Sequence, residues 1–173
     1  MWWRSPALIA ALFAGLAALA LAGCGFQPLY GGTTAGGAKL AEVMTAVDVV
    51  PIPGRVGQKL RSELIFYNTG GGNSAPPRYK LDIVIKESVT DQLVQITGDA
   101  TGQIFQLEAS FKLIDSASGH VLLAAKTVSR APYNRFQEIF ANVRARYDAE
   151  NRAARTAAES IRTQVAAFLI NAA

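Results

Sequence analysis

A chain of 173 residues with 17 basic and 13 acidic side chains has room for one sizeable core and hardly two. Its formal net charge of +4 is too mild to mark a nucleic-acid binder, which needs a concentrated basic stripe. One histidine and one cysteine exclude an intramolecular disulfide and leave no pair of imidazoles for a zinc site.

Residues 1–23, "MWWRSPALIAALFAGLAALALAG", hold a single charge, Arg4, ahead of an apolar run from Ala7 to about Ala22, which is the layout of a secretion signal. At 1.5 Å per residue the run covers about 24 Å, short of the roughly 20 residues that a spanning helix needs. The signal ends in "LAGC", Leu21 to Cys24, which resembles the bacterial lipobox. That resemblance implies cleavage after Gly23, a diacylglyceryl group on the Cys24 sulfur and an acyl chain on the new amino group. Cys24 is therefore expected to be a membrane anchor and not a catalyst. Removing 23 of the 173 residues leaves 150, with 16 basic and 13 acidic side chains and a net charge of about +3.

Residues 24–40 follow as a tether, "CGFQPLYGGTTAGGAKL", rich in Gly and Thr and without apolar periodicity. Gly32 and Gly37 have the separation of a phosphate loop, but Ala38 stands where its lysine would be. The remainder, 41–173, is predicted to be a single domain. "EVMTAVDVVPIPG" has the β-branched residues of a short strand over 43–50, closed by Pro51 and Pro53. "RVGQKLRSELIFYN" spaces Val56, Leu60, Leu64 and Tyr67 as one face of an amphipathic helix, and "TGGGNSAPP" ends it.

Two alternating stretches come next. In "RYKLDIVIKESV" Tyr79, Leu81, Ile83 and Ile85 share a side, with only Val84 breaking the pattern on the other. In "QIFQLEASFKLID" Phe105, Leu107, Ala109, Phe111 and Leu113 do the same. "DSASGH" is a turn, and "VLLAAKTVSRA" is the second arm of a hairpin with a fainter alternation. The intervening "TDQLVQITGDATG" either prolongs one strand or begins the next. Strands with one polar face suit an antiparallel sheet covered on one side. The cover is predicted to be the first helix and a last one, capped by Asp148, on which Ala154, Ala157, Ile161, Val165 and Phe168 step by three and four. The expected fold is α+β, in the order β-α-β-β-β-α: two helices packed on one face of an approximately four-stranded, mostly antiparallel sheet. Phe105, Leu107, Phe111 and Leu113 should meet Leu60, Leu64, Ile161, Val165 and Phe168 in the core.

No catalytic constellation emerges. His120 lies within five residues of Asp115, Ser116 and Ser118, but a single exposed turn rarely offers the cleft on which nucleophile, base and acid converge. Neither a catalytic residue nor a metal ligand is assigned, and apart from the covalent lipid on Cys24 no cofactor is expected.

The lipobox followed by "CGFQPLYG", the small domain, the "PYNRF" segment and the closing "FANVRARYDAENRAARTAAESIRTQVAAFL" together resemble the alphaproteobacterial form of the LptE family of lipopolysaccharide-assembly lipoproteins. The resemblance runs from Cys24 to about Leu169 and is most specific from Gly25 to Gly31. It implies an outer-membrane lipoprotein whose domain plugs an LptD-like barrel one-to-one and assists insertion of lipopolysaccharide into the outer leaflet. Gly25 in place of Asp after the Cys fits delivery to the outer membrane. The partners it implies are that barrel, lipopolysaccharide and the outer-membrane lipid around the Cys24 anchor, with no nucleic acid. An alternative stays open, a periplasm-facing lipoprotein that binds another envelope protein or peptidoglycan without a transport role. The alternation itself puts Arg78, Lys80, Lys86, Lys112, Lys126 and Arg130 opposite the core, with Asp82 and Glu108 the acidic residues among them. These six cations are the candidate lipopolysaccharide-binding residues, through charge-assisted hydrogen bonds to phosphate. Arg144, Arg146, Arg152 and Arg155 form a competing patch on the last helix.

Overall fold

A computed structural model describes residues 37–94 and 100–172 of the chain. A short helix α1 (Leu40–Thr45) leads into strand β1 (Val47–Val49) and helix α2 (Arg55–Thr69). Three long strands follow, β2 (Tyr79–Val94), β3 (Ala100–Asp115) and β4 (Val121–Asn134), and then helix α3 (Ile139–Ala172). The sheet order is β1-β2-β3-β4, with β1 parallel to β2 and the other neighbours antiparallel. Helices α2 and α3 lie on one face and, among the described residues, nothing covers the other, so the α+β architecture expected from the alternation is the one found.

The covered face follows the odd-numbered positions. Leu81, Ile83, Phe105, Leu107, Ala109, Phe111 and Leu113 are buried against Leu60 and Leu64 of α2 and Ile161 and Val165 of α3. Leu81 sits across from Leu113 and Ile83 across from Phe111, which stacks the large side chains in rows between the strands. At the end of α3 the core position belongs to Leu169, while Phe168 is only partly buried on the flank. A 3.6-residue period drifts past a strict three-and-four spacing, and over the last turn the drift carries Leu169 inward.

The faint alternation of β4 has a physical cause. Its helix-side positions are Ala125, Thr127, Ser129 and Ala131, small or polar because α3 brings its own alanines, Ala149, Ala153, Ala154, Ala157 and Ala158, close against them. Ser129 Oγ donates to the Ala153 carbonyl at 2.8 Å and Thr127 Oγ1 to Ser160 Oγ at 2.8 Å, so the polar groups are satisfied across the contact.

Two expected boundaries differ. The strand predicted over 43–50 is a turn of helix followed by three strand residues: Leu40 and Met44, four apart, are both buried, and the β-branched residues around them hid that helical spacing. The last helix begins at Ile139, not at Asp148. Asp148 is exposed within it and ion-pairs with Arg152 at 2.8 Å, four residues on, rather than capping. Entry to the helix is fixed instead by Asn142, whose Oδ1 accepts the Phe136 N–H at 2.6 Å and whose amide donates to the Phe136 carbonyl. The early turns keep a helical spacing of apolar residues, Phe140, Val143 and Tyr147, but these are exposed rather than set against the core.

Two glycines bound the packing of α2. Gly70 closes the helix in the left-handed region at φ 61° and donates to the Phe66 carbonyl at 2.8 Å. Gly57, in the first turn, is buried where a Cβ would stand 2.7 Å from Ile52 Cγ2 and 3.0 Å from the Ile52 carbonyl oxygen. Gly57→Ala is therefore expected to cost about 1–3 kcal/mol despite alanine's better helix propensity. Denaturant unfolding of the wild type and the variant checks the sign.

Candidate interaction surfaces

The uncovered face takes the even-numbered strand positions and is ruled by register. Asp82 sits across from Lys112, Val84 from Ser110, Lys86 from Glu108, and beyond them Ser110 from Lys126 and Gln106 from Arg130. Lys80, Lys86, Lys112, Lys126 and Arg130 are all exposed on this one face. Two of the cations meet side-chain partners on the face: Lys126 is ion-paired with Glu108 at 2.6 Å, and Arg130 Nε donates to Gln106 Oε1 at 2.8 Å. Arg78 stands just before β2, its guanidinium 5.4 Å from the centre of the Tyr79 ring, at the end of the face rather than within it. Val84, 69% exposed, and Val128 add apolar surface between the charges. Strands of 14 to 16 residues make this face about 50 Å long.

The helix arginines are spread over several partners rather than gathered. Glu150, 5% exposed, receives both Arg146 Nε at 2.8 Å and the Arg55 guanidinium. Arg55 also lies over the Tyr147 ring at 4.5 Å and donates to Asn151 Oδ1 at 3.1 Å, which joins the start of α2 to α3. Arg55, Arg146, Tyr147 and Glu150, with Val56, Glu87 and Val143, line a groove of about 430 Å³. Arg152 pairs with Asp148, Arg155 approaches Glu63 at 3.7 Å, and Arg144 lies 5.7 Å from the Phe140 ring centre. Tyr67 donates to Glu159 Oε1 at 3.1 Å; its pKa is raised above the usual tyrosine value by burial and then by that carboxylate.

An apolar cluster at the far end escaped the sequence reading. Phe136, Ile139 and Phe140 are 49%, 81% and 74% exposed, with Val143 and Tyr147 behind them. The signal was present in "RFQEIFANVRARY", where Phe136, Phe140, Val143 and Tyr147 step by four, three and four, but hydropathy alone does not tell such a face from one that meets the core.

His120 belongs to a capped turn. Asp115 accepts the Ala117 N–H at 3.0 Å and the Ser118 hydroxyl at 2.9 Å, and Gly119, at φ 72°, donates to the Asp115 carbonyl at 2.8 Å. The Ala117 N–H and then the Ser118 hydroxyl hold the Asp115 carboxyl below its ordinary range. Among the described residues no group of three His, Cys, Asp or Glu side chains could hold a metal, and no helix is long and apolar enough to cross a membrane. Cys24 and the tether to residue 36 lie outside the described residues.

A two-helix, four-stranded α+β layer of this order is a fold that solved bacterial lipoproteins share. A protein described as a lipoprotein from Caulobacter crescentus CB15 superposes with a TM-score of 0.63 at 20% identity, over 75% of this chain and 95% of that one. A minor lipoprotein from Acinetobacter baumannii gives 0.56 at 14% identity, over 73% and 95%. Rare lipoprotein B from Shewanella oneidensis gives 0.53 at 13% identity, over 70% and 92%. No protein-family model matches the chain, and no curated protein sequence matches it.

Proposed function

We propose that the chain is an outer-membrane lipoprotein, held by acyl chains on Cys24, whose domain acts as plug and assembly partner of an LptD-like barrel and assists lipopolysaccharide insertion into the outer leaflet. The observation that carries this reading is the fold shared with several bacterial lipoproteins, rare lipoprotein B among them, in a chain that opens with a lipobox. A long uncovered sheet face bearing Lys80, Lys86, Lys112, Lys126 and Arg130 supports it, since interfaces need a broad accessible patch and phosphates need cations.

Purification from native membranes in mild detergent tests the barrel: the protein should leave with one large β-barrel at one-to-one stoichiometry. Recovery alone, with another envelope protein or with peptidoglycan, would overturn the plug reading. Lipopolysaccharide contact is tested separately. Replacing Lys80, Lys86 and Lys112 together by Gln is expected to weaken lipopolysaccharide binding and flatten its salt dependence while barrel association persists. Unchanged binding, or loss only when the α3 arginines are replaced, would move the contact off the sheet.

A further inference from the structure

The direction of the backbone groups can be followed strand by strand across the sheet. Tyr79 N–H donates to the Ala46 carbonyl at 3.1 Å and Val50 N–H to the Leu81 carbonyl at 3.0 Å, so the odd residues of β2 turn their backbone toward β1. Its even residues therefore bond β3, through the pairs Lys80 with Ile114, Asp82 with Lys112 and Val84 with Ser110. The odd residues of β3 then bond the odd residues of β4, Phe111 with Ala125, Ala109 with Thr127, Leu107 with Ser129 and Phe105 with Ala131. What remains on β4 is an outward row: Ala124, Lys126, Val128 and Arg130 each direct an N–H and a C=O away from the sheet. Pro132 agrees with this parity, because a proline belongs where no ladder N–H is lost. Its carbonyl, which also points outward, accepts Arg152 Nη2 at 2.8 Å and closes the row at that end.

We infer that the outer edge of β4 over 124–130 takes up an extended strand of another protein, one that carries carboxylates at alternate positions. The edge is long and β4 contains no acidic residue, whereas Lys126 and Arg130 lie on its uncovered face. Backbone pairing would supply the affinity and those two cations the preference. The same cations disfavour a second copy. Pairing two β4 rows antiparallel over their whole length brings the two Lys126 side chains into diagonal contact with an Arg130 beside each, and like charges so placed oppose a sheet. An acidic strand meets Lys126 and Arg130 with opposite charge, alongside the Glu108 and Gln106 contacts they already make. The inference concerns the sheet's edge and stands apart from the barrel reading.

The test uses the mature lipidated protein in detergent micelles, residue-resolved amide exchange, and the capped peptide Thr-Val-Glu-Val-Glu-Val-Thr, with its lysine-for-glutamate counterpart as control. The glutamate peptide is expected to slow exchange at Ala124, Lys126, Val128 and Arg130 by on the order of tenfold or more, with Ala125, Thr127 and Ser129, already bonded to β3, unchanged. Val128→Pro removes one outward N–H and no ladder bond, so it should keep the melting temperature and lose the protection. Should that variant fail to fold, Lys126→Glu with Arg130→Glu should transfer the preference to the lysine peptide. Equal protection by both peptides on the wild type, no protection by either, or protection that rises with protein concentration alone would overturn the inference.

Discussion

Phe111→Ala is expected to lower the stability of the domain by about 3–5 kcal/mol and the melting temperature by about 10–18 °C. Phe111 is 1% exposed, sits across from Ile83 on one side and Ala125 on the other, and lies among the largest buried side chains. Its removal deletes transfer energy and leaves a cavity that neighbouring strands cannot close without breaking register. Val84→Ala, one residue from Ile83 but on the uncovered face, should change stability by no more than about 0.5 kcal/mol. The contrast between the two, measured by denaturant unfolding, reports the facing of the strands directly. Equal effects would reverse the assignment.

The second large effect concerns the anchor. Cys24→Ser is expected to abolish acylation and leave an uncleaved or wrongly cleaved precursor, because sulfur is the lipid's attachment atom. On the proposed anchor each buried methylene would contribute about 0.8 kcal/mol, so loss of the diacylglyceryl and N-acyl chains should remove the lipid's hold and leave only the apolar run of any uncleaved precursor. Mass spectrometry of the purified mature protein decides it: the wild type should begin at Cys24 and carry the lipid mass. An N-terminus elsewhere, or an unmodified Cys24, would remove the anchor from the proposal.

The sheet was readable from the chain where one face is apolar and the other polar. The odd positions of β2 and β3 alternate cleanly because large side chains must meet α2 and α3 on one side only. β4 was faint because α3 approaches it through alanines, so its buried positions are small rather than greasy and carry no hydropathy signal. The six-residue α1 was read as strand because Val43, Val47 and Val49 outweighed one helical spacing, Leu40 to Met44. The start of α3 was missed since its cap, Asn142 reaching back to Phe136, depends on a loop conformation that no local pattern encodes. For the candidate surface, residue type and parity placed Lys80, Lys86, Lys112, Lys126 and Arg130 on a common face. The partnerships that temper their charge, such as Lys126 with Glu108, depend on strand register and needed three dimensions.

The union of α2 with α3 bears on how such a chain comes to be folded at all. Arg55 meets Asn151 across 96 residues of sequence and Tyr67 meets Glu159 across 92, whereas β2, β3 and β4 pair with near neighbours. Closing a loop that long costs entropy before any contact is gained, so the hairpins can form early and the helical layer must wait. The leading elements, α1, β1 and α2, gain a surface to bury against once β2 and β3 have formed, and α2 is covered on its flank only when α3 arrives. A chain with this connectivity completes its native state only when its last element is in place.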